Sequence, residues 1–308
     1  MATFTTMENS PASVPGGAFL SGGDLLVRQR ERPVLSTGFR PLDALLPAGG
    51  VRPGSLVEWL TEGDTVASGG GAATLAFAVA CRLAAADGGN AVEAGQARRR
   101  TIVVVDRTGW FHPPAVLPWL ADERRLVVAR PARDEDEVWA IDQALRCTGV
   151  AAVLAWPRAR SGCTGGTRSV SRGSRRGITS QQWSTAMRRW QLAAAASGAV
   201  GLFVRPRTAL GEPSWAEARI AVSPHCSGAR CADGPSQPGG QPGGGLTERR
   251  LQLTLAGGNW AAITADGRRA AEITLDVARG CAGVPRQALA SERTTAASER
   301  SGAACRAS

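Results

Sequence analysis

Between about Leu35 and Ser223 the sequence alternates short apolar, β-branched runs with helical patterns, at the intervals of βαβ units. That alternation restricts the chain to an α/β class with a mostly parallel sheet. The predicted strands are "SLVEWL", "TIVVVD", "RLVVAR", "VAAVLAW", "AVGLFVR" and "ARIAVS". Several are apolar almost throughout, as strands are when helices cover both faces of a sheet. Two intervening helices are legible in detail. "DEDEVWAIDQALR" places four acids, 134–137, at the positive end of the helix dipole and Arg146 at the other, with Val138, Ile141 and Leu145 on one face. The acidic run is expected to be a solvated helix start. "QQWSTAMRRWQLAAAA" sets Trp183, Met187 and Trp190 at i, i+4 and i+7, a stripe suited to core packing with Arg188 and Arg189 outward.

The flanks differ in composition. Residues 1–33 read as a flexible N-terminal segment carrying one short helix at "GDLLVRQRER", and 34–223 as the core domain. Residues 224–245, within "PHCSGARCADGPSQPGGQPGGG", read as a Gly/Pro linker. A small β segment is expected over 246–279, with "RRLQLTLAGG" and "AAEITLDVA" as a strand pair, and a disordered tail over 280–308.

Charge narrows the partners. Every one of the 36 basic residues is Arg, and the formal net charge of +10 favours polyanions, nucleic acid first. No stretch approaches the roughly 18–20 unbroken apolar residues that cross a bilayer. "MATFTTMENSPASVPGGAFL" lacks the basic start and apolar run of a signal peptide, so a cytoplasmic protein without membrane contact is expected. Seven cysteines at irregular spacing fit reduced thiols. His225, Cys226 and Cys231 form the one local cluster of metal-ligand types, and with no second ligand pair after it, no metal is expected. His112, followed by Pro113 and Pro114, reads as a loop residue, and no Ser, His or Cys arrangement suggests a nucleophile.

"TEGDTVASGGGAATLAFAVA", residues 61–80, runs from a strand through Gly69, Gly70 and Gly71 into a helix. Such a turn is where nucleotide phosphates sit, because free N–H groups and the helix dipole favour an anion. The chemistry of a phosphate loop also needs a Lys after the last Gly and then a Ser or Thr hydroxyl for Mg²⁺. Ala72 and Ala73 hold those positions, Thr74 falls one place late, and the chain contains no Lys at all. The nearest Arg in the helix, Arg82, is about three turns along, more than roughly 10 Å away by helix geometry.

The order of motifs resembles a known group. "LSTGFRPLDALLPAGGVRPGSLVEWL" is similar to the entry of a RecA-like core, and "TIVVVDRTGWFHPPAV…LVVARPARDEDEVWAIDQALRCTGVAAVLAW" follows its strand and helix order. "MRRWQLAAAASGAVGLFVRP" resembles the corresponding stretch of ImuA-type proteins, RecA-like accessory factors of bacterial mutagenic translesion synthesis within the RecA/SulA-like group. The resemblance covers roughly Val34 to Ser223 and implies a RecA-like three-layer α/β core with a mostly parallel sheet and a small C-terminal β appendage. By that comparison Val66 replaces the first phosphate-loop Gly. Asp106 ends the second strand as an acidic residue does in RecA-type ATPases, but Thr108 stands where the catalytic carboxylate would, and Ala155 and Trp156 stand where the Mg²⁺-supporting Asp would. A hydroxyl cannot serve as that base near neutral pH. Phosphoryl transfer depends on the groups that are missing, so no catalytic residue, no nucleotide cofactor and no ATPase activity are expected.

A second surface is strongly basic. Between Gln143 and Gly211 there are eleven Arg and no Asp or Glu. Arg158, Arg160, Arg168, Arg172, Arg175 and Arg176 lie on a Gly/Ser background after the fourth strand, where RecA-type proteins have a DNA-binding loop. Such a loop can follow a phosphate backbone without reading sequence.

The resemblance therefore implies a non-hydrolytic accessory protein of the DNA damage (SOS) response, recruiting or regulating a translesion assembly. Its implied partners are an ImuB-type polymerase-like protein and an error-prone replicative-type polymerase, with DNA contacted through the Arg-rich loop. Two other classes stay open at this point: a divergent RecA-type ATPase, and a SulA-like cell-division inhibitor or other protein-interaction module.

Overall fold

A computed structural model of the chain describes residues 21–62, 70–86, 100–120, 125–157, 180–225, 248–258, 269–276 and 281–283. The helices are α1 (Gly22–Glu31), α2 (Arg40–Leu45), α3 (Ala72–Ala86), α4 (Asp134–Arg146) and α5 (Ser180–Ser197). The strands are β1 (Leu56–Thr61), β2 (Thr101–Val105), β3 (Leu126–Ala129), β4 (Val150–Ala155), β5 (Val200–Pro206), β6 (Ala218–Pro224), β7 (Glu248–Gly257), β8 (Ala270–Asp276) and β9 (Cys281–Gly283).

The strands form one sheet in the order β3-β2-β4-β5-β1-β6-β7-β8-β9. From β3 to β6 every pairing is parallel; from β6 to β9 every pairing is antiparallel. With helices on both faces this is the RecA-like three-layer α/β core expected from the sequence. The strand pair read at the C-terminal end exists as β7 and β8. Because β7 pairs with β6 from Arg219 to Pro224, it continues the core sheet.

Alternation along β1 divides the interior. Val57 and Trp59 join the core under α3, together with Leu42 and Leu45 of α2 and Leu251, Leu253, Ile273 and Leu275 of the C-terminal strands. Leu56 joins the opposite core, built on Trp183, Met187 and Trp190 of α5, all fully buried as their helical spacing required. Trp190 packs edge-on to Trp183 at 5.6 Å and lies 5.2 Å from Phe203.

The "LSTGF…LD" entry has a clear physical reason. The Asp43 carboxylate accepts hydrogen bonds from Ser36 Oγ (2.6 Å), Thr37 Oγ1 (2.7 Å) and Thr37 N (2.8 Å), tying the turn to the first turn of α2. One expectation needs correction. The acidic start of α4 is not simply solvated: Glu137 is buried, and Arg107 pairs with both Asp134 (2.8 Å) and Glu137 (3.3 Å). The loop after β2 carries a guanidinium over the helix start, so two of the four acids hold that loop instead of facing water.

The centre of the sheet contains charge. Glu58, on β1, is completely buried and accepts from Arg205 Nη1 of β5 (3.2 Å) and Arg219 Nε of β6 (2.6 Å). Arg205 also pairs with Glu212 and lies 4.0 Å over the Trp183 ring, while Arg219 donates to the Ala209 and Leu210 carbonyls. Both carboxylate oxygens of Glu58 are thus matched by guanidinium groups from the two neighbouring strands. Removing one partner of such a group leaves uncompensated buried charge, which costs about 3–5 kcal/mol. Glu58→Gln is accordingly expected to lower unfolding free energy by an amount of that order in denaturant titration, and a loss below about 1 kcal/mol, the range of exposed pairs, would show that the network is not a buried constraint.

Candidate functional site

In open α/β sheets ligands bind beyond the carboxyl ends of the parallel strands. The turn between β1 and α3 lies at that edge. Gly69 and the other loop residues 63–69 fall outside the described residues; Gly70, Gly71, Ala72, Ala73 and Thr74 are in place between strand and helix. Gly71 has φ +82, and its carbonyl accepts from Leu75 N at 2.9 Å, so it caps α3 in the left-handed conformation that glycine adopts without strain. A Cβ on Gly71 would meet Leu251 Cδ2 at 2.6 Å. Leu251 comes from β7 and is itself buried. The helix start is therefore covered by an aliphatic side chain, and Ala72, also buried, brings a methyl group to the position of the phosphate-loop cation.

The neighbouring strand ends are occupied in the same way. Asp106, just past β2, is buried, and its carboxylate is fully used within its own turn. Oδ1 accepts from Thr108 Oγ1 (3.1 Å), Gly109 N (2.9 Å) and Trp110 N (3.1 Å); Oδ2 accepts from Phe111 N (2.8 Å). Thr108 serves the same turn. After β4, Ala155 is buried and Trp156 belongs to an aromatic group, 6.3 Å from Phe111, which lies 5.4 Å from Phe77 of α3. Aromatic rings fill the place where a metal-supporting carboxylate would stand.

Other candidate groups resolve separately. Burial pushes the Cys81 thiol up to about 12, although nearby Arg82 pulls the other way, so it holds its proton at neutral pH. His225 Nε2 stands 3.9 Å from Glu272 Oε1, and Cys226 and Cys231 lie outside the described residues. His112 precedes a short 3-10 turn over Pro113–Ala115, where its carbonyl accepts from Ala115 N (3.1 Å) and its side chain makes no capping bond. Arg158, Arg160, Arg168, Arg172, Arg175 and Arg176 also lie outside the described residues. Their segment joins the carboxyl end of β4 to the start of α5, so both of its anchors are at the phosphate-loop edge. No described helix is long and apolar enough to cross a membrane.

The sequence reading missed the Glu58, Arg205 and Arg219 network and the closed bonding of Asp106. Both left a signal. Each of three strands adjacent in the sheet carries one charge in an otherwise apolar run, and "DRTG" is an Asp with turn residues behind it, a pattern in which the carboxylate bonds forward to backbone N–H groups.

No protein-family model matches the chain, and no curated protein matches it.

Asp106 therefore holds a turn. Asp106→Asn puts an amide N–H2 among three backbone donors and is expected to lower stability by roughly 1–3 kcal/mol, the cost of a lost charge-assisted bond and an opposed donor. Thermal unfolding checks this, and an unchanged midpoint would mean that the carboxylate is free for other work.

Proposed function

We propose that this chain is a non-hydrolytic, RecA-like accessory protein of the DNA damage response that recruits or regulates an error-prone polymerase assembly. The observation that carries the reading is the contrast at one edge of the sheet. A RecA-like strand order brings a glycine turn and a helix start to the nucleotide position, yet Leu251, Ala72, Phe111 and Trp156 make that position apolar. Arg82 does not substitute for the missing cation. Its Nε lies 2.9 Å from where a Cβ of Gly38 would be, so its side chain extends to the α2 entry turn. At the positions of the phosphate-loop cation and the catalytic carboxylate the sequence has Ala72 and Thr108, which supports a non-hydrolytic reading.

The Arg-rich segment 158–179 supports the second half of the reading. It leaves the sheet at the same edge and supplies positive charge suited to a phosphate backbone. The resemblance to ImuA-type proteins names the rest: a cytoplasmic protein whose partners are an ImuB-type polymerase-like protein and an error-prone replicative-type polymerase.

The test is salt-dependent DNA binding. Replacing Arg168, Arg172, Arg175 and Arg176 together by Ser is expected to weaken binding to single- or double-stranded DNA and to reduce the slope of log K against log salt by up to about 3 on single strands and about 3.6 on duplex. Fluorescence anisotropy over a salt series measures it. An unchanged affinity with an unchanged slope would remove this segment as the contact.

A further inference from the structure

At the opposite edge of the sheet, where β1 and β6 begin, a cleft of about 390 Å³ opens between α1, α5 and the segment Trp215–Glu217. Its volume falls in the range of small-ligand sites. Three guanidinium groups line it, Arg30 from α1, Arg52 from the loop before β1 and Arg188 from α5, against one carboxylate, Glu217. The balance is two positive charges.

The polar groups are arranged and only partly satisfied. Arg52 Nη1 meets Glu217 Oε1 at 3.5 Å, with side chains 24% and 12% exposed. Arg52 Nε is buried without a hydrogen-bond partner. A buried guanidinium N–H normally has an acceptor, so Arg52 Nε points to a group that completes it. Arg188 is held in position from two sides, stacked 4.4 Å over the Trp215 ring and donating to Gln191 Oε1 at 2.6 Å. Leu56 and Trp215 add apolar wall. Burial raises the Glu217 carboxyl above its ordinary range, against the opposing pull of Arg52 and Arg30, so the negative charge is the disfavoured component of the cleft.

We propose that this cleft is a binding site for a compact organic or inorganic oxyanion carrying about two negative charges, a polycarboxylate or a phosphate, gripped by Arg52 and Arg188. The site is separate from the nucleotide edge and does not rest on the accessory role proposed for the chain. Guanidinium groups suit both oxyanions because their paired donors match two oxygens at once. Glu217 sets the net charge of the cleft and limits the charge the ligand can gain.

Isothermal titration of the full chain with succinate and with inorganic phosphate, at fixed ionic strength and neutral pH, tests the site. Saturable binding of either probe is expected, and which probe binds identifies the oxyanion class. Arg52→Gln and Arg188→Gln should each weaken it about tenfold or more, the worth of one charge-assisted bond. Glu217→Gln should tighten it, and Arg133→Gln, a side chain 75% exposed at the start of α4, should leave it unchanged. Arg188 lies on a helix surface, so its variant keeps the test readable if Arg52→Gln fails to fold. Absence of saturable binding to both probes, an equal loss in Arg133→Gln, or weaker binding in Glu217→Gln would overturn the proposal.

Discussion

The rest of the fold depends on how the middle of the sheet tolerates a buried carboxylate. Glu58 sits on the central parallel strand with no solvent exposure, and burying one such charge is unfavourable unless its partners are exact in placement and number. Arg205 and Arg219 meet that demand from the strands on either side, in a register that pairs Leu60 with Arg205 and Glu58 with Arg219. The two arginines in turn bond to Glu212 and to the carbonyls of Ala209 and Leu210, and Arg205 stacks on Trp183. One carboxylate therefore fixes strand order, the turn between β5 and β6, and the seat of α5. A slip of one residue in either pairing would turn an arginine to the other face and leave Glu58 without compensation.

With that centre fixed, the two edges of the sheet differ in character. The carboxyl edge keeps a strand, Gly70 and Gly71, and a helix start in sequence, but Leu251 and Ala72 put apolar groups at that helix start. Leu251 is the main cause, and it arrives from a strand that continues the core sheet. The C-terminal strands thus cover the helix start that an anion would otherwise occupy. The amino edge has the reverse character. Its cleft gathers three arginines, one of them with a buried, unpartnered Nε.

Much of this was legible in the sequence because it follows from local periodicity. The strands "SLVEWL", "TIVVVD" and "VAAVLAW", the α4 pattern and the Trp183, Met187 and Trp190 stripe each encode their burial in their own spacing. The replacement of Lys by Ala72 could also be read directly. What could not be read depends on contacts between distant residues. Glu58 and Arg219 are 161 positions apart, and Leu251 is 180 positions from Gly71, so neither contact has a local pattern. Glu137 illustrates the same limit: helix-dipole reasoning explains an acid at the start of α4 but cannot anticipate that Arg107 reaches it across the β2 turn. The amino-edge cleft is assembled from α1, the β1 entry, α5 and the β6 entry, four segments with no shared motif.

In this RecA-like frame Leu251 and Ala72 put apolar groups at the start of α3, which disfavours a bound triphosphate there. Equilibrium titration of the full chain with a fluorescent, non-hydrolysable ATP analogue, with and without Mg²⁺, measures whether the helix start accepts a nucleotide. The expected result is no saturable binding tighter than about 1 mM and no effect of Mg²⁺. Saturable, Mg²⁺-dependent binding with a Kd of roughly 10 μM or below would contradict it, because a site of that affinity needs some 7 kcal/mol of interaction that Leu251, Ala72, Phe111 and Trp156 cannot supply to a triphosphate.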